Sequence, residues 1–179
     1  GHVESVIASN KSGLIVIKPK VLVDTTGDGD ACAWAGAKFE KAESPQPMSL
    51  HFRIAYLETH LDLRKRTAEV LAREFDSGNL GLYAGPYMAT FSGRDIYFNA
   101  TRTPGDNTSP EDWTQAEING RRDAWTMFEA WQRELPEFED AYFMTSGPVA
   151  GARESRRIIG DYVLNASDVA EGKRKDDVV

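Results

Sequence analysis

A chain of 179 residues, 41% of them hydrophobic, has enough material for one ordinary domain with a true core. Its net charge of -7, with basic residues scattered apart from RKR at 64–66 and KRK at 173–175, argues against a duplex nucleic acid or an anionic membrane as partner. The single Cys32 excludes an internal disulfide, no Cys/His spacing marks a metal site, and no apolar run approaches the ~20 residues of a bilayer span, so a cytoplasmic protein is expected.

VESVIAS and GLIVIK flank the turn Asn10-Lys11-Ser12-Gly13, which predicts a hairpin, and KVLVD directly after it predicts a third strand. Glycines suit the turn that follows, and Asp30 is a natural N-cap for a short helix through Ala31, Ala33 and Ala35. ESPQP at 43–47 is a loop and a candidate boundary, and MSLHFRIAYL a strand. From Thr59, Leu61, Leu63, Ala68, Leu71 and Phe75 recur near helical spacing until Gly78. YMATF and DIYFNATR predict two strands around Ser92-Gly93.

The clearest element begins at Ser109. Ser is a good N-cap, Pro110 suits the first helical position, and Glu111 and Asp112 favour the positive end of the helix dipole. Apolar or small residues then recur at Trp113, Ala116, Gly120, Ala124, Phe128, Trp131 and Leu135, a long amphipathic helix that must end before Pro136. Its tryptophan stripe reads as core. AYFMTS and RRIIGDYVL predict two late strands, with a short capped helix near Ser167. The expected fold class is α+β, with a mixed or antiparallel sheet and packed helices.

The turn in VLVDTTGDGDACAWAG admits several readings. A dinucleotide loop would place phosphate against free N–H groups at a helix start, but Cys32 stands where that pattern wants glycine or alanine. A calcium loop has Asp24, Asp28 and Asp30 but neither the alternating spacing nor the distal glutamate of an EF-hand. The stretch also resembles the DTxGAGD motif of ribokinase-like sugar kinases, in which Asp30 would be the base. Against that, Asp28 would set a carboxylate beside the transferring phosphoryl group, and most of the chain follows the motif instead of preceding it.

VLVDTTGDGDACAWAGAKFEK resembles the VxDATGDGDxAxxAGAxFE stretch of a family of FAD-dependent oxidoreductases with a glutathione-reductase-like flavin domain. The resemblance continues, in the family's order, through QPMSLHFRI, FNATRTPGDNTSPEDWTQAEINGRRDAW and GARESRRIIGDYVLNASDVAEGKRKDD. Thr25 replaces the family's usual alanine, and His51 stands where an apolar residue is more usual. It implies FAD as cofactor, approached by Thr25, Thr26, Gly27, Asp28 and Gly29, with Asp30 capping the helix. It also implies that a GxGxxG strand precedes residue 1 and that a glycine-aspartate segment follows residue 179. The chain is therefore expected to be an internal fragment, inactive by itself and holding FAD weakly or not at all. Residues 1–41 would be the C-terminal part of the flavin domain and 42–179 an incomplete substrate-side α+β domain, with the remaining flavin-domain segments as partners.

Within the matched stretches the polar candidates for a small anionic or polar substrate are Arg53, Asn99, Arg102, Arg153 and Arg156, since arginine offers planar bidentate donors to a carboxylate. His51 is the only one of the three histidines in a matched stretch and is the acid/base candidate, with Arg153 and Arg156 beside it as catalytic candidates. Of the adjacent arginines, one of Arg153 and Arg156 is expected in a cavity and Arg157 in a structural ion pair. A non-catalytic binding module remains the alternative outside enzymes.

Overall fold

The structure, a computed structural model, describes residues 2–57, 63–90 and 93–174. It is α+β, with antiparallel pairing in every sheet. The chain divides into two compact units, one made of Gly1–Lys41 with Arg156–Val179 and the other of Ala42–Ser155. Residues 156–179, assigned by sequence to the second domain, group with the first unit.

The second unit holds the main core. Strands β4 (Phe52–Ala55), β5 (Tyr83–Thr90), β6 (Asp95–Thr101) and β7 (Tyr142–Ser146) form a four-stranded sheet in the order β5-β6-β4-β7. Helices α2 (Arg64–Asp76) and α3 (Pro110–Glu134) pack against it. Side chains alternate along a strand, so Phe52 and Ile54 of β4 and Ile96, Phe98 and Ala100 of β6 enter the core together. Phe98 stacks on Trp131 of α3 at 4.7 Å between ring centres and on Phe52 at 5.3 Å. The Trp131 indole N–H donates to the Thr67 carbonyl at 3.1 Å, so its one polar atom is satisfied inside the core.

Helix α3 obeys its sequence signals: Ser109 Oγ accepts from the Asp112 N–H at 3.2 Å, Pro110 opens the helix, and Leu135 leaves it just before Pro136. Of its tryptophans, Trp131 is core, Trp113 flanks a small cluster of Met48, Ala116 and Ala150, and Trp125 is half exposed. Helix α2 ends at Gly78 in the left-handed region, as predicted, while the predicted first turn from Thr59 lies outside the described residues. Tyr83 and Tyr87 bracket a register shift in β5, where Pro86 has no N–H to donate.

The first unit is built differently. Strands β1 (Val6–Asn10) and β2 (Gly13–Ile17) make the predicted hairpin, closed by Asn10 Oδ1 accepting from the Ser12 N–H. The apolar run 21–23 is not a strand, because no neighbouring strand among the described residues takes up its hydrogen bonds. The late strand is only β8 (Arg157–Ile158), paired with β3 (Phe39–Glu40). Helix α4 (Ala166–Glu171) carries a full capping box between Asn165 and Asp168. Among the described residues no helix is long and apolar enough to cross a membrane.

Of the described glycines in the second unit, the most closely packed is Gly120 in α3, where a Cβ would stand 2.9 Å from the Cβ of Leu50. Replacing a helical glycine by alanine ordinarily gains about 0.5–1 kcal/mol of propensity, whereas overpacking against backbone-anchored atoms costs typically 1–3 kcal/mol. Gly120→Ala is therefore expected to lower the melting temperature. A raised one would refute the close packing.

Candidate functional site

Two groups of the sequence-predicted residues are brought together, one in each unit. In the first unit the stretch 24–34 folds as an Asp24-centred turn leading into helix α1 (Asp30–Trp34). One oxygen of Asp24 accepts from the Thr26 N–H at 3.0 Å and the Thr26 hydroxyl at 2.8 Å, and the other from the Cys32 N–H at 2.8 Å. These donors, led by the Cys32 N–H, hold the Asp24 carboxyl well below the usual carboxylate range, and the same carboxylate pushes the Cys32 thiol up. The sequence reading passed over Asp24 as anything but a calcium candidate. Its signal was the Asp-x-Thr spacing, in which an aspartate bonds the backbone two residues on.

Asp30 does not cap α1. The cap position is Gly29, in the left-handed region at φ 64°, and Asp30 is the first helical residue. Its carboxylate is taken by Arg156 at 2.5 Å, and the Arg156 guanidinium also donates to the Asp28 carbonyl at 3.1 Å and lies 5.5 Å from the Phe39 ring centre. Arg156 thus ties β8 to the glycine turn instead of standing alone in a cavity. Arg157 pairs with Glu40 across the β3–β8 ladder at 3.1 Å.

In the second unit the face of the sheet opposite the core is polar. Arg53 of β4 and Tyr97 of β6 are cross-strand partners, and continuing that register puts His51 opposite Asn99. Arg53 is committed to Asp95 at 3.0 Å. Arg102 Nη1 donates to Asn99 Oδ1 at 2.9 Å and to Ser49 Oγ at 3.3 Å, as well as to the Thr101 carbonyl at 2.6 Å. Arg153, from the loop after β7, reaches the same two oxygens, Ser49 Oγ at 2.8 Å and Asn99 Oδ1 at 3.5 Å. Neither guanidinium has a carboxylate within ion-pairing distance among the described residues. Burial, with the Arg153 charge second, accordingly lowers the proton affinity of Arg102.

Ser49, His51, Tyr97 and Arg153 line an open pocket of about 400 Å³, closed on another side by the loop 147–152. His51 Nδ1 is hydrogen-bonded to the Tyr97 hydroxyl, and the rings meet edge to face at 5.0 Å. Ser49 and Tyr97 escaped the sequence reading, although Tyr97 stands two residues from Asn99 and so on the same strand face. Among the described residues no three His, Cys, Asp or Glu side chains are placed to hold a metal ion.

Burial, then the charges of Arg153 and Arg102, push His51 below its ordinary value of 6.5, with a hydrogen bond donated to Asn99 opposing. The folded form therefore binds its proton less readily than the unfolded chain, so His51 contributes stability that is whole above pH 6.5 and lost as pH falls through its lowered value. A ring-proton NMR titration is expected to place the His51 midpoint below 6.5, and Arg153→Gln to move it up. A midpoint above that value would contradict the cationic setting.

No curated protein and no solved structure matches this sequence. The family model of FAD dependent oxidoreductases matches it from end to end, over residues 1–179. The glycine turn and the arginine-lined pocket thus sit within one continuous family match, and the chain belongs to the FAD dependent oxidoreductase family.

Proposed function

We propose that the protein is a flavin-dependent oxidoreductase whose substrate is a small organic anion, bound by its carboxylate in the pocket of Ser49, His51, Tyr97 and Arg153. The carrying observation is the pair Arg102 and Arg153, two guanidiniums that share two neutral oxygens and have no described counter-anion. Like charges held close without a carboxylate are costly, and a bound anion relieves that cost. Arg53 serves by orienting β4 through Asp95.

The residues of the glycine turn fit FAD. Gly27 lies at φ 87° with open space within 4 Å of where a Cβ would be, so a ligand can approach the backbone closely. The N–H groups of Gly27, Asp28 and Gly29 have no hydrogen-bond partner among the described residues, while those of Thr26, Asp30 and Cys32 are spent inside the turn. Thr25, Thr26, Gly27, Asp28 and Gly29 would hold the flavin. Asp24 and Arg156 keep that turn in shape, one from within and one from β8. Bound FAD would supply the two-electron chemistry, and the chain supplies position and charge. Neutral His51 is suited to take a proton from the substrate, because burial and then two adjacent arginines disfavour its charged form, and a bound anion would offset the arginine charges.

Two measurements test this reading. Gly27→Ala is expected to weaken FAD binding roughly tenfold, about 1.4 kcal/mol, while Gly13→Ala, equally strained at φ 105° but in the β1–β2 turn, leaves it unchanged. Equal losses would mean that strain alone is responsible. In the FAD-loaded protein, anaerobic flavin bleaching by carboxylate substrates should fall roughly a hundredfold in Arg153→Ala and partly recover in Arg153→Lys, the usual scale for a lost charge-assisted contact of about 3 kcal/mol. Bleaching indifferent to Arg153 would overturn the anionic substrate.

A further inference from the structure

Two side chains from the far end of the chain converge on the glycine turn, and all the residues concerned belong to the first unit. Side chains alternate along an extended segment, so Arg156 and Ile158 share one face of the chain at β8 while Arg157 turns the other way, to Glu40. Arg156 Nη1 donates to the Asp28 carbonyl at 3.1 Å and to Asp30 Oδ1 at 2.5 Å, and the Arg156 side chain is largely buried. Ile158 closes on Gly29, its Cδ1 only 2.9 Å from where a Cβ would stand, whereas nothing lies within 4 Å of the same position at Gly27. The turn is backed at Asp28 and Gly29 and open at Gly27.

The peptide between Asp28 and Gly29 is the one this backing controls. A trans peptide is planar, with its C=O and N–H pointing to opposite sides. Arg156 holds the carbonyl, so the Gly29 N–H is aimed away from the guanidinium, and it has no hydrogen-bond partner among the described residues. Of the three free N–H groups of the turn, at Gly27, Asp28 and Gly29, this is the one whose own peptide has its carbonyl bonded among the described residues. A cation on the carbonyl also polarises the peptide and strengthens the N–H as a donor. Because Asp30 neutralises Arg156, what the arginine gives the turn is direction and polarisation, not net charge.

We infer that Arg156 and Ile158 are positioning residues for the flavin, holding the Asp28–Gly29 peptide so that the Gly29 N–H donates to an acceptor atom of the cofactor. This rests on the flavin reading above and adds to it the donor, the direction in which that donor points and the two residues that set it. Neither side chain needs to touch the cofactor. Attachment of β8 by itself does not require Arg156, since the Arg157–Glu40 pair already joins β8 to β3.

The test is titration of the whole chain with FAD, followed by flavin fluorescence and by amide NMR. Without FAD the Gly29 N–H is expected to exchange with solvent faster than the Thr26 N–H, which is bonded to Asp24. FAD should shift the Gly29 amide and protect it. Arg156→Ala is expected to weaken FAD binding roughly tenfold, the scale of one charge-assisted hydrogen bond, and to abolish the protection of Gly29. Arg156→Lys, which keeps a donor for the carbonyl, should recover part of both, and Ile158→Ala should reduce the protection. Arg157→Ala, which also removes an ion pair from β8, should leave the affinity and the Gly29 amide unchanged. FAD that binds without perturbing Gly29, or equal losses from Arg156→Ala and Arg157→Ala, would overturn the positioning role and leave the cofactor reading standing. Failure of the parent chain to bind FAD would remove the cofactor reading and this role with it. Melting curves matched to the parent separate a misdirected donor from a lost fold, and the Gly29 amide of the parent needs no variant at all.

Discussion

The strict alternation of side chains across the β5-β6-β4-β7 sheet is the constraint on which the second unit depends. Phe52 and Phe98 stack under it on Trp131, and because they point down, Arg53, Tyr97 and Asn99 must point up. A shift of one residue in the register of β6 would bury Tyr97 and Asn99 and expose Phe98. The core therefore holds the polar face in place without touching it. Burying a single large aromatic is worth several kcal/mol, roughly 3–5 for a Phe or Trp cut to Ala, so the position of the pocket is guarded by the stability of the whole sheet.

On the polar face, the arginines differ in what holds them. Arg53 is neutralised by Asp95 and is half buried, which makes it part of the scaffold. Arg102 and Arg153 are held only by neutral oxygens, an arrangement that favours stability less than a salt bridge would and favours an incoming anion more. Asn99 is the hinge of the arrangement. Its oxygen is shared by both arginines, and it also bonds His51, so one amide side chain links the Arg153 side of the pocket to the His51 side.

The first unit has little core of its own. Val21, Val23 and Trp34 are largely exposed, and Trp34 retains 82% of its surface. What gives its turn a definite shape is mainly polar, namely three bonds to Asp24 and the Arg156–Asp30 pair, to which is added the apolar packing of Ile158 against Gly29, where a Cβ would come within 2.9 Å of the isoleucine. Such a turn has its geometry set before any ligand arrives, so less ordering entropy is lost on binding.

By itself the sequence determined the elements whose signals are local and the family to which the chain belongs. Helix α3 was legible from Ser109, Pro110 and the apolar period, the β1–β2 turn from Asn10 and Gly13, and the family, which the family match bears out, from a resemblance running along the chain. Tertiary structure decided what depends on partners far along the chain. The run 21–23 is apolar enough for a strand but has no neighbouring strand among the described residues, Asp30 does not cap because Arg156, 126 residues later, takes its carboxylate, and Arg153 lines the pocket beside His51. Tyr97 and Ser49 join the candidate site only because strand register and the return of the chain after β7 bring them to His51 and Arg153. A local motif carries its own hydrogen-bond geometry, whereas the worth of a charge or a lone pair depends on what the fold sets opposite it.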